Sequence, residues 1–380
     1  MDFDLTADQQ RRYDETLAAT REQLGDAPSG ADGYFTRQQW KVAASLGLTG
    51  LCLPTEQGGG GLGALDTALS LEAFGRGCRD TGLVFAVCAH LLACAVPIRD
   101  FASQEIRDGM VSGLASGDVI AANAMTEDDA GSDVGRLAVR ARRDDDGAYV
   151  LDGEKSFASN APAADAIVTY AVTNPKAGFL GVTGFVVPRD LPGVVVGEPM
   201  EKMGLSSCPA SRVRFDNCRV PEAYRLGAEG QGGAVFQHSM AWERACLLAA
   251  YLGAMEHQLA RCVEHARRRE QFGRRIGAFQ AISHRIAEMK QRLESGRLLL
   301  YRGCWLLDNG RDHVGAIALA KLAVSEAAVA NSLDAVQIFG GAGYLSAAGI
   351  EQQLRDAIPT TIFSGTSEVQ RELVAREAGL

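Results

Sequence analysis

The sequence predicts an α+β multidomain chain: a helical N-terminal domain, a small β-barrel or sandwich in the middle, and a C-terminal four-helix bundle. Three observations carry this expectation. At 380 residues the chain exceeds what one hydrophobic core usually serves. The apolar pattern changes twice, from helical spacing to short strands near residue 118 and back to helical spacing near residue 229. Helices and strands fall in blocks, whereas doubly wound folds alternate them. The expected domains are 1–117, 118–228 and 229–380.

In the first block, Leu5 to Leu24, Thr36 to Leu46 and Asp66 to Gly75 carry apolar residues at three- and four-residue intervals. Gly58, Gly60 and Gly63 satisfy G-x-G-x-x-G, but the preceding run is short and ends at Pro54. No βαβ unit surrounds it, so a flexible turn is the better reading. The apolar run Gly82 to Ile98 is interrupted by His90 and closed by Pro97; it lacks a basic flank and reads as a buried helix. Met1 to Gln10 has neither the basic start nor the apolar core of a secretory signal.

In the second block, Leu137 to Arg143 and Ala148 to Asp152 flank Asp144-Asp145-Asp146-Gly147, a hairpin signal. Ala166 to Val172, Gly181 to Val187, Gly193 to Val196 and Ser211 to Phe215 continue the strand pattern between prolines. The stretch Asp152 to Asn160 reads as a turn leading into a strand. In the third block, Phe236 to Arg268, Ala278 to Leu307 and Gly315 to Phe339 are long helices, and a last one begins near Thr366.

A net charge of −9 offers no field that steers nucleic acid or an anionic membrane to the chain. The nine cysteines are odd in number, without C-x-x-C pairs or zinc spacing. They read as small core residues of a cytoplasmic protein, with no metal site.

Two polar stretches frame the β block. Thr126-Glu127 is followed by Ala130-Gly131-Ser132-Asp133, and Asp152-Gly153-Glu154-Lys155 leads through Phe157 and Ser159 to Asn160. Alone, each is an ordinary loop. Arg267, Arg268, Arg269, Arg274 and Arg275 surround Phe272-Gly273 and invite two readings. Cations at a helix end complement its dipole, and guanidinium forks suit a pyrophosphate. A mixture fits best, one or two ligand contacts with the rest solvated.

Taken in order, T-E-x-x-A-G-S-D, D-G-x-K-x-x-x-x-N, R-R-x-Q-F-G (Arg268 to Gly273), Gln280, Gln337-Ile338-Phe339-Gly340-Gly341-Ala342-Gly343 and Gly365-Thr366-Ser367-Glu368-Val369-Gln370-Arg371 resemble the acyl-CoA dehydrogenase family along essentially the whole chain. The resemblance implies FAD held between the β domain and the bundle. Thr126 and Ser159 would then hydrogen-bond the isoalloxazine, and Phe157 would lie against it where many relatives carry tryptophan. Asn123 falls where others place an aromatic. Ser132 would lie near the flavin and the thioester arm, and Thr366 and Glu368 belong to the last cofactor motif. Gln280 is a further cofactor-binding candidate, and Arg269, Gln271 and Phe272, with Gln337, Gly340 and Gly341, match positions that reach the flavin of a neighbouring subunit, which implies a homo-oligomer, a tetramer or dimer.

The implied reaction needs a base to remove the Cα proton of a thioester. Most of the family carries glutamate before the last Gly-Thr; here that position is Ser364, too weakly basic to serve. Either turnover is lost and the chain is a flavin-binding relative, or the base lies elsewhere. In a minority, including the isovaleryl-CoA type, it precedes an arginine on the first bundle helix, which makes Glu243 the candidate base and Arg244 its support. A first-turn glutamate complementing the helix dipole, or an ion-pair partner, is the alternative role of Glu243. Ser132, Ser364 and Gly365 are the candidate substrate contacts.

Local stretches such as Tyr34 to Trp40, Gly82 to Ala86, Lys155 to Pro162, Met240 to Cys246 and Ile362 to Ser367 resemble the L-prolyl-[peptidyl carrier protein] dehydrogenases. That subgroup implies proline on a carrier's phosphopantetheine, oxidised twice to a pyrrole-2-carboxyl thioester. Other carrier-bound amino or hydroxy acids, or a short branched acyl-CoA, remain as alternatives. The electron acceptor is oxygen or an electron-transfer protein.

Overall fold

The structure, a computed structural model, describes residues 4–25 and 30–380; the first three residues of the expected signal-free start lie outside it. Helices α1 (Ala7–Leu24) and α2 (Arg37–Ser45) each begin at a threonine whose hydroxyl accepts from the backbone three residues on, while Gln9 or Gln39 reaches back. These reciprocal caps satisfy donors that a helix start otherwise leaves bare. Helix α3 (Ala64–Gly77) and α4 (Thr81–Phe101) follow, then α5 (Gln104–Ala115). The G-x-G-x-x-G stretch is a turn after a short 3-10 segment, with Gly58 and Gly61 at positive φ.

Helices α4 and Val314–Phe339 are apolar enough to cross a membrane by length and composition, yet 94% and 61% of their apolar windows are buried in the protein. Packing against this chain therefore accounts for the apolar run that the sequence shows at Gly82 to Ile98. All nine cysteines are free and buried.

The middle of the chain forms one eight-stranded sheet: β1 (Ala121–Ala124), β2 (Arg140–Arg143), β3 (Tyr149–Ser159), β4 (Ala166–Val172), β5 (Val182–Pro188), β6 (Val194–Val196), β7 (Ala210–Val220) and β8 (Arg225–Leu226). The pairing order is β6-β7-β3-β2-β4-β5-β8, with β1 parallel to β4. A separate apolar cluster including Tyr149, Phe185 and Phe215 fills this domain. One expectation is corrected here. Asp152-Gly153 is no turn but the interior of β3, because β7 pairs along its length and absorbs Gly153 through a register shift. Cross-strand pairing outweighs the local turn propensity of Asp-Gly.

The bundle comprises α6 (Gly232–Arg268), α7 (Gln280–Asp308), α8 (Val314–Phe339), the short α9 (Ile350–Ala357) and α10 (Ser367–Glu377). Helix α3 is welded to α6. An added Cβ at Gly75 would sit 2.0 Å from Ala250 O, and one at Gly253 2.0 Å from Glu72 O, so only glycine allows this approach. The largest apolar cluster runs through both helical blocks and touches one side of the sheet. The three blocks meet over one cavity.

Candidate active site

Helix α4 supplies the first wall. It widens to a π-helix over Ala89–Ala95, where the Val96 N–H reaches back five residues to Leu91 O, just before Pro97. Proline offers no N–H and crowds the carbonyl four residues back, so the wider turn accommodates it. Phe85, Ala89 and Ala93 line the cavity from this helix. His90 points the other way, fully buried, with Nδ1 accepting from Ala121 N at 3.0 Å and Nε2 3.2 Å from Leu114 O.

The second wall comes from the sheet. Asn123 of β1 and Met125, Thr126, Gly131, Ser132 and Val134 after it line the cavity, together with Ser156, Phe157 and Ser159 of β3. The loop is held by a buried ion pair. Lys155 Nζ donates to Glu127 Oε1 at 2.8 Å and to Met125 O at 3.0 Å, and Glu127 accepts from the amides of Ala138 and Val139. Burial pulls the Lys155 ammonium down to about 8, against the pull of Glu127. Beside it Phe157 adopts φ +56°, unfavourable for a bulky side chain, at a bulge in the β3–β7 pairing. Its ring is 61% exposed. A strained aromatic facing open space, set by a bulge, is how a strand re-aims a side chain toward a ligand.

The third wall is the bundle: Phe236, Met240 and Glu243 from α6, and Ile362 to Thr366 before α10. The cavity volume is about 420 Å3. Glu243 is buried, and burial raises its carboxyl above the ordinary glutamate value; the Ser364 hydroxyl, Arg244 and Lys321 work in the other direction. Ser364 Oγ donates to Oε1, while Oε2 has no hydrogen-bond partner. Arg244 turns its Nε to Ser364 O at 2.7 Å. Thr366 caps α10 by accepting from Val369 N, so the residues before it are held as a tight loop.

The structure therefore brings Thr126, Ser132, Phe157, Ser159, Glu243, Ser364, Gly365 and Thr366 to one cavity, with Arg244 behind the Ser364 carbonyl. Arg269, Gln271, Phe272, Gly340 and Gly341 line a different groove of about 440 Å3, which shares no residue with the first. Gln280, Gln337 and Glu368 are exposed and line neither. In the arginine cluster Arg268 pairs with Glu264 and Arg274 lies over the Phe279 ring. Sequence reasoning missed Lys321, buried on α8, whose Nζ donates to Thr360 O at 2.8 Å and which burial lowers to about 8. The available signal was a lone cation inside an Ala-rich apolar helix. Phe85, Ala89, Ala93 and Phe363 were missed too, since apolar lining looks like core until the cavity is seen.

Family models for the N-terminal, middle and C-terminal domains of acyl-CoA dehydrogenases match residues 6–118, 122–218 and 230–379. The chain belongs to the acyl-CoA dehydrogenase family. It is 55% identical over 380 residues, all of both chains, to an L-prolyl-[peptidyl-carrier protein] dehydrogenase of Pseudomonas fluorescens. It superposes on a solved structure of PigA with FAD and proline at TM-score 0.96, with 44% identity and complete coverage of both chains. The prolyl acyl carrier protein oxidase AnaB matches at TM-score 0.95 and 36% identity, over 99% of this chain and 100% of that one. As an enzyme of this family the chain is a dehydrogenase, and its helical, β and helical domains follow the family order.

Proposed function

We propose that this enzyme is an FAD-dependent dehydrogenase of an L-prolyl group carried as a thioester on a peptidyl carrier protein, and that two successive two-electron oxidations give the pyrrole-2-carboxyl thioester. The observation that carries this reading is Glu243, a buried carboxylate with one oxygen fastened and the other without a partner, on a cavity built by all three domains. The names of the full-length relatives support the substrate.

The residues present fit the cofactor. Asn123 Oδ1 and Glu243 Oε2 are buried polar atoms without partners, and the hydroxyl-bearing Thr126, Ser132 and Ser159 share the wall with the exposed ring of Phe157. FAD held there supplies the acceptor for the hydride that leaves the substrate. Thr126 and Ser159 would hold the isoalloxazine edge, and Phe157 its face. Glu243 takes the Cα proton, which the thioester acidifies, and burial raises its affinity for that proton above an ordinary glutamate's. Ser132 and Gly365 would flank the thioester arm. Phe85, Phe363, Ala89 and Ala93 exclude water and leave room for a compact ring.

Each round removes one proton and one hydride, so two rounds remove four hydrogens, and the electrons pass on to oxygen or an electron-transfer protein between them. Arg269, Gln271, Phe272, Gly340 and Gly341 would complete the cofactor site of a second copy, making the working form a homo-oligomer. The nine free, buried cysteines are in keeping with a reaction in the reducing cytoplasm.

Intact-protein mass spectrometry of prolyl-loaded carrier protein after incubation with the enzyme tests the reading. Loss of four hydrogens is expected, and loss of two would restrict the enzyme to one desaturation. An unchanged carrier, with rapid bleaching of the flavin by isovaleryl-CoA, would replace this substrate with a branched acyl-CoA.

A further inference from the structure

The residue standing where most relatives carry their base has its own place in this site. Ser364 adopts φ +56° and Gly365 φ +89°, so the chain turns through two consecutive left-handed residues. The turn is gripped from both sides. Arg244 Nε donates to Ser364 O at 2.7 Å, and Gln370 Nε2 donates to Gly365 O at 2.9 Å and to Ser364 O at 3.3 Å. A Cβ at Gly365 would come within 2.7 Å of Gln370 Nε2, so the grip also requires the glycine. Held this way, Ser364 directs its hydroxyl to Glu243 Oε1 and to no other oxygen of that carboxylate. A serine in left-handed conformation is strained, and such strain persists only where the surroundings over-determine it.

From this juxtaposition we infer that Ser364 is a positioning residue: its hydroxyl, set by the left-handed turn and by Arg244 and Gln370, fixes Glu243 through Oε1 and leaves Oε2 to take the substrate proton. The inference rests on the reading of Glu243 as the base. The hydroxyl donates to the carboxylate form and so favours it, opposing the burial that raises Glu243. The other groups facing Glu243 come from every neighbouring element. Arg244 lies on its own helix and Lys321 on α8, both cationic; Cys88 and Cys94 on α4 and Tyr170 on β4 are kept neutral by burial. None of these hydrogen-bonds the carboxylate, whereas Ser364 does.

The test compares Ser364→Ala, Ser364→Gly, Ser364→Thr and Glu243→Gln as FAD-loaded proteins. Two quantities are read: the pH profile of single-turnover flavin bleaching by prolyl-carrier protein, and the infrared titration of the buried carboxyl band that Glu243→Gln lacks. Loss of the hydroxyl in the alanine and glycine proteins is expected to move the acidic limb and the infrared midpoint up by about one pH unit and to slow bleaching about tenfold. Threonine keeps the hydroxyl but adds a β-branch that φ +56° disfavours, so both values should stay closer to native than in the alanine protein while the melting temperature falls. The glycine protein separates positioning from support, because glycine relieves the strained turn and folds at least as well. Full rate and an unmoved infrared midpoint in that protein would overturn the inference. Turnover by Glu243→Gln would instead remove Glu243 as base, while the infrared midpoint would still report whether Ser364 holds it.

Discussion

Burying a carboxylate works against folding, and Glu243 shows the sign of that effect. Its folded proton affinity is raised, so its contribution to stability is fully present below the unfolded value and is lost as pH rises through the folded one. Wherever it is ionised, the buried anion therefore works against the fold. Glu243→Gln is expected to abolish turnover while FAD stays bound, and to raise the melting temperature by roughly 2 °C. Substantial remaining turnover in stopped-flow assays would assign the proton transfer to another group. The native enzyme should in turn lose activity as pH falls through the raised value, because only the carboxylate accepts the proton. Glu243 was legible in the sequence through a vacancy: with serine at 364, chemistry needs a carboxylate elsewhere, and Trp242-Glu243-Arg244 offers one. The fastening of Oε1 by Ser364 was not legible. It joins residues 121 positions apart through a side-chain bond that no periodicity announces.

The loop carrying Thr126 is only as fixed as the ion pair beneath it. Lys155 and Glu127 have side-chain exposures of 0% and 7%, and Glu127 also anchors two amides before β2. Removing one partner leaves a buried charge uncompensated, which typically costs about 3–5 kcal/mol. Lys155→Met is thus expected to lower the thermal midpoint and to weaken FAD retention; a melting curve and flavin content matching the unmodified enzyme would show that the loop stands without the pair. The joint between α4 and β1 carries a pH signature of its own. Burial holds His90 at about 4, below its ordinary 6.5. The unfolded chain takes up that proton first, so the joint is at full strength above pH 6.5 and weakens as pH falls toward 4, by about 3 kcal/mol at the lower end. Melting temperatures measured across this range should fall more steeply for the native enzyme than for His90→Gln; parallel slopes would place the acid sensitivity elsewhere. At this level β4 was read from the sequence at its observed bounds, because Ala166 to Val172 is apolar apart from Thr169 and the hydroxyl of Tyr170, and is buried on both faces. Strand β3 was read as too short, since Asp152-Gly153 mimics a turn until β7 is paired against it. The π-turn of α4 left no sequence mark except Pro97.

Three blocks of distinct texture gave the order of the domains, and the cavity lies where that order brings them together, on residues from each. One chain nevertheless leaves the residues proposed to hold the cofactor divided. Thr126, Phe157 and Ser159 line the Glu243 cavity, whereas Arg269, Gln271, Phe272 and Gly340 line a groove with no residue in common. The hairpin between α6 and α7 presents Phe272 at φ +52° with 93% of its surface exposed. Among the described residues its one ring contact is with Phe279, and a strained aromatic left this open to water marks a contact with another molecule. On the proposed function that contact is with a second copy, whose cofactor site this groove would complete. Phe272→Asp places a charge at the centre of the contact, where desolvating it is costly. Sedimentation velocity should then show a smaller particle than the native enzyme, with flavin released on dilution and helical content unchanged by circular dichroism. Because Glu243 and Ser364 lie in the other cavity, high FAD concentrations should restore part of the bleaching rate. An undiminished particle that keeps its flavin would mean that Phe272 serves some other partner and that each chain binds its cofactor alone.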